Sequence, residues 1–178
     1  MAYYTIEIED YPLQIALYVL VANLFQQLMI NFYGGKFRST HFNKDFMVEH
    51  FGAEHYAMDE NGKVPGGGYP DCGNGLHSLK LDYKQWFEFN IAQRIAKNCL
   101  ETICMLAMSL SVLAIVYPWA AVCFGLANFS LRFGFVLTYS RAPQMRMFFA
   151  PLMMFNLVTS SVTATYACFE WIKAVPSI

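Results

Sequence analysis

Residues 92–119 read AQRIAKNCLETICMLAMSLSVLAIVYPW, and this stretch decides the class of fold. Its first third carries the charges of Arg94, Lys97 and Glu101, and from Ile103 onward it is predominantly apolar. A helix that crosses a bilayer needs about 20 mainly apolar residues, so the stretch predicts a transmembrane span over 92–116. The Tyr-Pro-Trp sequence that follows predicts a tight break, because proline is favoured in the first turn of a new helix.

Three further spans are predicted on either side of this one, over residues 12–32, 118–139 and 147–172. Aromatic residues fall near the span ends, as the interfacial belt of a membrane protein requires; they are Tyr11, Tyr33, Trp86, Tyr117, Trp119, Tyr139 and Trp171. The predicted fold is all-α, an integral-membrane four-helix bundle in a lipid bilayer, forming a single domain over 1–178. The alternative of a soluble helical bundle would leave too little polar surface.

Composition supports a membrane protein. Of 178 residues, 56% are apolar and only 14% are charged, against about a quarter charged in soluble domains. The formal net charge is −1, so no nucleic-acid partner is predicted. Composition therefore argues against a disordered chain, a nucleic-acid binder and an ordinary soluble enzyme.

The predicted connection between the first two spans is a long loop over residues 33–91. Lysines and arginines concentrate in this loop and in the link between the last two spans: Lys36, Arg38, Lys44, Lys63, Lys80, Lys84, Arg141 and Arg146. The positive-inside rule places that side in the cytosol or the mitochondrial matrix. Both termini are then expected on the opposite side, where Glu7, Glu9 and Asp10 lie, and the first 15 residues show no cleavable targeting sequence.

So long a loop is expected to be ordered and either functional or packed on something. Residues 43–58 predict a short amphipathic helix on the membrane surface, broken near Gly52, and the glycine-rich segments 66–68 and 69–75 predict turns. The loop holds every histidine of the chain, but their spacing does not favour a metal site; they are His41, His50, His55 and His77. The five cysteines are interpreted as free thiols, four of them in apolar helices.

Polar residues inside the spans are the candidate functional groups, because a charge at mid-bilayer costs at least about 3 kcal/mol. Arg94, Asn98 and Glu101 share one helix face through their spacing, and Arg132 lies on a polar stripe of the third span. At 1.5 Å per residue Glu101 and Arg132 reach similar depths, so they are expected to form a buried pair beneath a loop-side pocket. From the residues alone, two interpretations of these polar groups stay open: a site for a small carboxylate-bearing thiol, or a purely structural contact. An ion pathway is less favoured.

The run Phe89-Asn-Ile-Ala-Gln-Arg-Ile-Ala-Lys-Asn-Cys-Leu-Glu101 resembles the signature of the MAPEG family. These membrane-associated proteins of eicosanoid and glutathione metabolism include microsomal glutathione transferases and leukotriene C4 synthase. Their pattern is close to F-N-x-x-Q-R-A-H-x-N-x-L-E. Arg132 and Tyr139 are similar to the ends of the family's R-x-x-Y-x-x-G-Y, and the resemblance extends over about residues 10–172.

The resemblance implies a trimer that binds glutathione between neighbouring subunits. It gives glutathione-binding roles to Arg94, Asn98, Glu101, Arg132 and Tyr139, and a thiolate-stabilising catalytic role to Arg146. Several family groups are replaced in this chain: the His by Ala96, a Tyr by Phe135, a Gly by Thr138, and an aromatic hydroxyl by Thr102. A lost hydrogen bond to a charged group costs about 1.5–3 kcal/mol, so the site is interpreted as partly degraded.

Two functions follow from the resemblance. The favoured hypothesis is an accessory or structural subunit of a larger membrane complex, for example in the mitochondrial inner membrane. The alternative is an active membrane glutathione transferase or peroxidase that acts on lipophilic electrophiles. The partners are then either other membrane subunits or a homotrimer, the cofactor is glutathione as substrate without a metal, and the membrane is mitochondrial or that of the endoplasmic reticulum.

Overall fold

The computed structural model describes residues 10–58, 64, 66–69 and 71–174. Five α-helices account for most of these residues: α1 Asp10–His41, α2 Lys44–Met58, α3 Tyr83–Val116, α4 Pro118–Tyr139 and α5 Arg146–Ala174. Two 3₁₀ turns, Ser78–Lys80 and Pro143–Met145, precede α3 and α5. Across these residues no strand is present, and the predicted all-α class is confirmed. Glu7, Glu9 and Lys63, used above to orient the chain, lie outside the described residues.

Four of the helical segments are long and apolar enough to cross a membrane. They are Tyr11–His41, Tyr83–Val116, Pro118–Tyr139 and Pro143–Lys173. Each contains one of the spans predicted from the sequence. Pro118 is the first residue of α4, as expected. Tyr117 lies between α3 and α4, and its backbone amide donates to the carbonyl of Leu113 at 2.7 Å.

The predicted long loop over 33–91 is wrong, because most of this segment is helical. Helix α1 continues to His41, α2 occupies Lys44–Met58 without a break at Gly52, and α3 begins at Tyr83. Hydropathy marks the point where a helix becomes too polar for hydrocarbon, but lysine and arginine are good helix formers and do not end the helix itself. Among the described residues of this segment, those outside helices are 42–43, 64, 66–69, 71–77 and 81–82.

Contacts divide the chain into two compact units. Of the described residues, those in the ranges 10–27 and 99–174 form the span unit, and those in the range 28–98 form the loop unit. In the span unit the buried core contains many small side chains, which allow helices to approach closely. One cluster is Ala16, Leu113, Ala114, Ala121, Val122, Ala164 and Ala167, and a second is Ile103, Leu106, Leu110 and Leu157.

The loop unit has a separate aromatic core, formed by Phe42, Met47, Phe51, Val64, Leu81 and Phe89. The rings of Phe42 and Phe89 meet edge to face with centroids 5.0 Å apart. The buried side of α2 contributes Met47 and Phe51 to this core. The helix predicted over 43–58 is confirmed, and its buried side packs on protein, whereas its position on the membrane surface stays a prediction.

Candidate functional site

A row of buried amide side chains on α1 faces α4 within the span unit. Asn23 is fully buried, and its Nδ2 donates to the carbonyl of Gly125 at 3.1 Å. Its Oδ1 accepts from Nδ2 of Asn128 at 2.8 Å. One turn further along, Nε2 of Gln26 donates to the carbonyl of Phe129 at 2.9 Å. Because hydrocarbon offers no hydrogen bonds, these contacts lower the cost of burying the amides and join the two helices. Oε1 of Gln26, however, has no hydrogen-bond partner among the described residues.

Arg132 of α4 lies next in this row and is the largest fully buried side chain described in the chain. Its Nη1 donates to Oε1 of Gln27 at 3.1 Å, and its Nη2 donates to Oγ1 of Thr102 at 3.0 Å. Both acceptors are neutral. Among the described residues Nε of Arg132 has no hydrogen-bond partner. The guanidinium thus ties α1, α3 and α4 together within one chain.

Glu101 differs from the sequence expectation. The predicted depth is right, since Arg132 reaches Thr102, the residue next to Glu101. However, Glu101 is exposed on the chain whereas Arg132 is fully buried. The predicted burial of Glu101 is therefore wrong: successive helical residues point about 100° apart, and on this part of α3 Thr102 faces Arg132.

The other candidate residues of the span unit differ in burial. Tyr139 is 4% exposed at the end of α4, with its ring centroid 5.2 Å from that of Phe135. Phe135, which stands where the family has tyrosine, is 1% exposed. Arg146 is exposed at the first residue of α5. The hydroxyl-free ring of Phe135 thus fills a buried position beside Tyr139.

Arg94 and Asn98 belong to the loop unit, on the part of α3 before residue 99. Arg94 is exposed and Asn98 is partly buried. Ala96 occupies the position of the family's histidine, and its Cβ would lie 3.5 Å from a Cβ added at Gly34. The close approach of α1 and α3 at this point is an ordinary packing contact between small residues.

The loop unit also contains a polar cluster that sequence reasoning missed, built around Asp71. The carboxylate of Asp71 accepts from the backbone amides of Gly73 at 2.7 Å, Gly75 at 3.0 Å and Ser78 at 2.7 Å. Burial of this group raises its pKa, but the hydrogen bonds outweigh burial, so the pKa of Asp71 lies below its usual value of 3.8. The Asp-Cys-Gly-Asn-Gly sequence predicts a turn, but it does not show from which backbone amides the carboxylate accepts hydrogen bonds.

Arg38 of α1 anchors the preceding glycine segment. Its guanidinium donates to the carbonyls of Gly67 at 3.1 Å and Gly68 at 3.2 Å, and also to the carbonyl of Asp71. The guanidinium carbon lies 5.4 Å from the ring centroid of Phe89. At φ +57°, Gly68 is in the left-handed region, and an added Cβ would meet the ring of Phe42 at 2.5 Å. The predicted turns are confirmed and are held by α1.

Three histidines of the loop unit lie beside a carboxylate or an aromatic ring. His41 lies 3.6 Å from the carboxylate of Glu88. His50 and His77 have ring centroids 4.5 Å and 4.6 Å from Phe46 and Phe51, respectively. Within the described part of the chain no cluster of three or more His, Cys, Asp or Glu residues is arranged to hold a metal ion.

Four apolar membrane-length helices, three of which are joined by buried amide and guanidinium contacts, indicate an α-helical integral-membrane protein. Comparison with protein families is more specific. The family model of the MAPEG family matches residues 13–166, which is most of the chain, and the chain belongs to this family. Neither a search of curated proteins nor a search of solved structures finds a match.

Proposed function

We propose that this MAPEG-family protein is an accessory or structural subunit of a larger membrane complex, with a partly degraded glutathione site. Its membrane is the mitochondrial inner membrane or the endoplasmic reticulum, with residues 33–91 facing the matrix or the cytosol. The glutathione site is inferred from the family. The residues that replace family groups in this chain support the loss of part of its chemistry.

The contacts of Arg132 carry this proposal. A guanidinium that binds a ligand carboxylate presents two parallel N–H groups to it. In this chain both terminal nitrogens of Arg132 already donate to Gln27 and Thr102, and the residue is fully buried. A glutathione carboxylate would have to break these contacts and open the helices around them. Arg132 therefore supports the fold of the single chain.

The replacement of hydroxyl groups supports the same conclusion. Phe135 is buried and has no group to donate to a ligand. Thr102 stands where the family often has an aromatic hydroxyl; its Oγ1 accepts from Arg132 and donates to the carbonyl of Cys99 at 3.2 Å. Two positions that the family uses for ligand contacts are thus occupied by contacts within the chain.

Glutathione binding to the purified full-length protein tests this proposal. We expect calorimetry in detergent to show no saturable binding up to millimolar glutathione. We also expect no turnover of an aryl halide electrophile above the uncatalysed rate. The matched variant is Arg146→Gln, which should leave both results unchanged. Saturable binding with turnover that falls at least tenfold in Arg146→Gln would show that the site is active.

The second candidate function is an active glutathione transferase or peroxidase, and the exposure of Glu101 and Arg146 favours it. An exposed guanidinium at the start of α5 is accessible to a bound thiol. It would favour the thiolate, which is the nucleophilic form. In that case Arg94, Asn98 and Tyr139 would contribute to glutathione binding, as the family resemblance implies. The binding and turnover experiment above separates the two functions.

A further inference from the structure

The link between α4 and α5 presents two arginines at a membrane surface. Candidate spans cover Pro118–Tyr139 and Pro143–Lys173, so a chain that crosses the bilayer in both has the connection between them at one membrane surface, with Arg146 in the first turn of the second span. Arg141 and Arg146 are both exposed. Neither makes a salt bridge or a side-chain hydrogen bond with any described residue. Two guanidinium groups of this chain are therefore available to a ligand at headgroup depth.

Carboxylates that would neutralise these arginines are absent from the surrounding sequence. No Asp or Glu occurs from Thr102 to Phe169, which includes all of α4 and most of α5. Towards the other end of α5, Lys173 lies 3.2 Å from Glu170 and is neutralised by it. Apart from the buried Arg132 and Lys173, which is paired with Glu170, the basic side chains described in the span unit are thus those of the α4–α5 link.

The link is held in place by its own backbone contacts. The amides of Arg141 and Ala142 donate to the carbonyl of Thr138 at 3.1 Å and 2.8 Å, and the amide of Met145 donates to the carbonyl of Ala142 at 2.9 Å. Exposed apolar side chains follow it directly, with Met147 72% and Phe148 66% exposed. A fixed basic turn beside exposed apolar groups matches a lipid, whose phosphate lies next to its acyl chains.

We infer that the α4–α5 link binds the headgroup of an anionic phospholipid, with Arg141 and Arg146 donating to its phosphate. Gln144, which is exposed between them, adds an amide donor. Met147 and Phe148 contact the upper part of the acyl chains. This lipid site is independent of the accessory function proposed above and of any glutathione chemistry at Arg146.

Lipid retention tests the inference. The full-length protein is reconstituted in nanodiscs of phosphatidylcholine with phosphatidylglycerol. It is then released into detergent, and the bound lipids are counted by native mass spectrometry. We expect preferential retention of phosphatidylglycerol, reduced about fivefold by Arg141→Gln or Arg146→Gln and about 20-fold by both, since a basic residue near an anionic surface contributes about this factor.

Two control variants separate a site from general charge. Arg141→Lys keeps the charge and should retain phosphatidylglycerol within about twofold of the wild type, and so should Lys173→Gln at the far end of α5. Circular dichroism checks that each variant keeps its helical content. Equal loss in Lys173→Gln, unchanged retention in the double variant, or displacement of the lipid by millimolar inorganic phosphate would overturn the inference.

Discussion

Arg132 is a residue whose importance the sequence predicts correctly but whose hydrogen-bond partners it does not. An arginine within an apolar span indicates a functional or structural site, because its burial is costly. The residue counts to Glu101 and Arg132 along the two spans gave the correct depth, but they do not identify the partner of Arg132. The adjacent Thr102 and the neutral Gln27 accept its hydrogen bonds instead. Partner identity depends on the rotation of each helix, which one sequence without homologues does not determine.

A double-mutant cycle measures the Arg132–Gln27 contact. We expect Arg132→Met and Gln27→Leu to show a coupling free energy of about 1–2 kcal/mol, since a charged hydrogen bond between membrane helices lies in this range. Reversible unfolding in mixed micelles provides the measurement. The matched control is Gln26→Leu, because Gln26 donates to the carbonyl of Phe129. Coupling of Arg132 to Gln26 as large as that to Gln27 would contradict the assignment.

Asp71 provides a second prediction at the residue scale. Its pKa is below 3.8 in the folded chain because three backbone amides donate to the carboxylate, against the opposing effect of burial. A lowered folded pKa stabilises the fold above the unfolded pKa, and this stabilisation is lost as the pH falls below 3.8. Asp71→Asn should therefore lose stability at neutral pH, and the difference from wild type should shrink in acid.

Hydrogen exchange of the peptide that covers residues 71–81 tests this effect in the full-length protein. At pH 7 we expect exchange about tenfold faster in Asp71→Asn, since hydrogen bonds to a charged group contribute about 1.5–3 kcal/mol. Asp45→Asn is the matched control, because Asp45 is exposed in the first turn of α2. An equal acceleration in Asp45→Asn, or no acceleration in Asp71→Asn, would show that the carboxylate does not hold the turn.

At the scale of helices, the sequence located the membrane-crossing segments but not the ends of the helices that contain them. The spans over 12–32 and 92–116 rest on hydropathy, which the bilayer selects directly. Helix α1 nevertheless extends to His41, and α3 begins at Tyr83. Helix formation outside the bilayer depends on local propensity and on packing against the aromatic core of the loop unit. That packing joins residues far apart in sequence, such as Phe42 and Phe89.

Close packing of α1 on α4 gives a prediction at the same scale. A Cβ added at Gly125 would lie 2.4 Å from Cγ1 of Val19. The β-branched valine has little rotamer freedom in a helix, so the contact must move the helices apart. We expect Gly125→Ala to lower the free energy of unfolding by about 1–3 kcal/mol.

Gly35→Ala is the control, because no atom lies within 4 Å of an added Cβ at that position of α1. Alanine is the better helix former, so this variant should keep or raise stability by up to about 1 kcal/mol. Both variants are measured by unfolding in mixed micelles. Equal stability of the Gly125→Ala variant and the wild type would mean that α1 and α4 are not packed as described.

At the scale of the whole molecule, the distribution of lysine and arginine predicts which side of the membrane residues 33–91 face. Cys72 is exposed in the loop unit, whereas the other cysteines lie on candidate spans. We expect a membrane-impermeant maleimide to label the protein only from the cytosolic or matrix side, and Cys72→Ser to abolish the labelling. Labelling of Cys72 only from the opposite side would contradict the orientation given by the positive-inside rule.

The accessory function predicts that the loop unit contacts other proteins. Its segment before and at the start of α3 exposes large apolar side chains, with Leu76 67%, Leu79 73% and Tyr83 76% exposed. Lys80 and Lys84 in the same segment are exposed, and because lysine is costly in hydrocarbon we expect this segment to lie outside the bilayer. Apolar surface outside the bilayer indicates a protein interaction site.

We therefore expect the protein, isolated from its native membrane in mild detergent, to co-purify with unrelated subunits in stoichiometric amounts. A Leu76→Glu/Leu79→Glu variant should lower their recovery at least fivefold, because each carboxylate would be buried without a partner in the interface. Val48→Glu, which alters an exposed residue of α2 in the same unit, is the matched control. Recovery of the chain only as a homotrimer, with or without the variants, would contradict the accessory function and favour the enzyme.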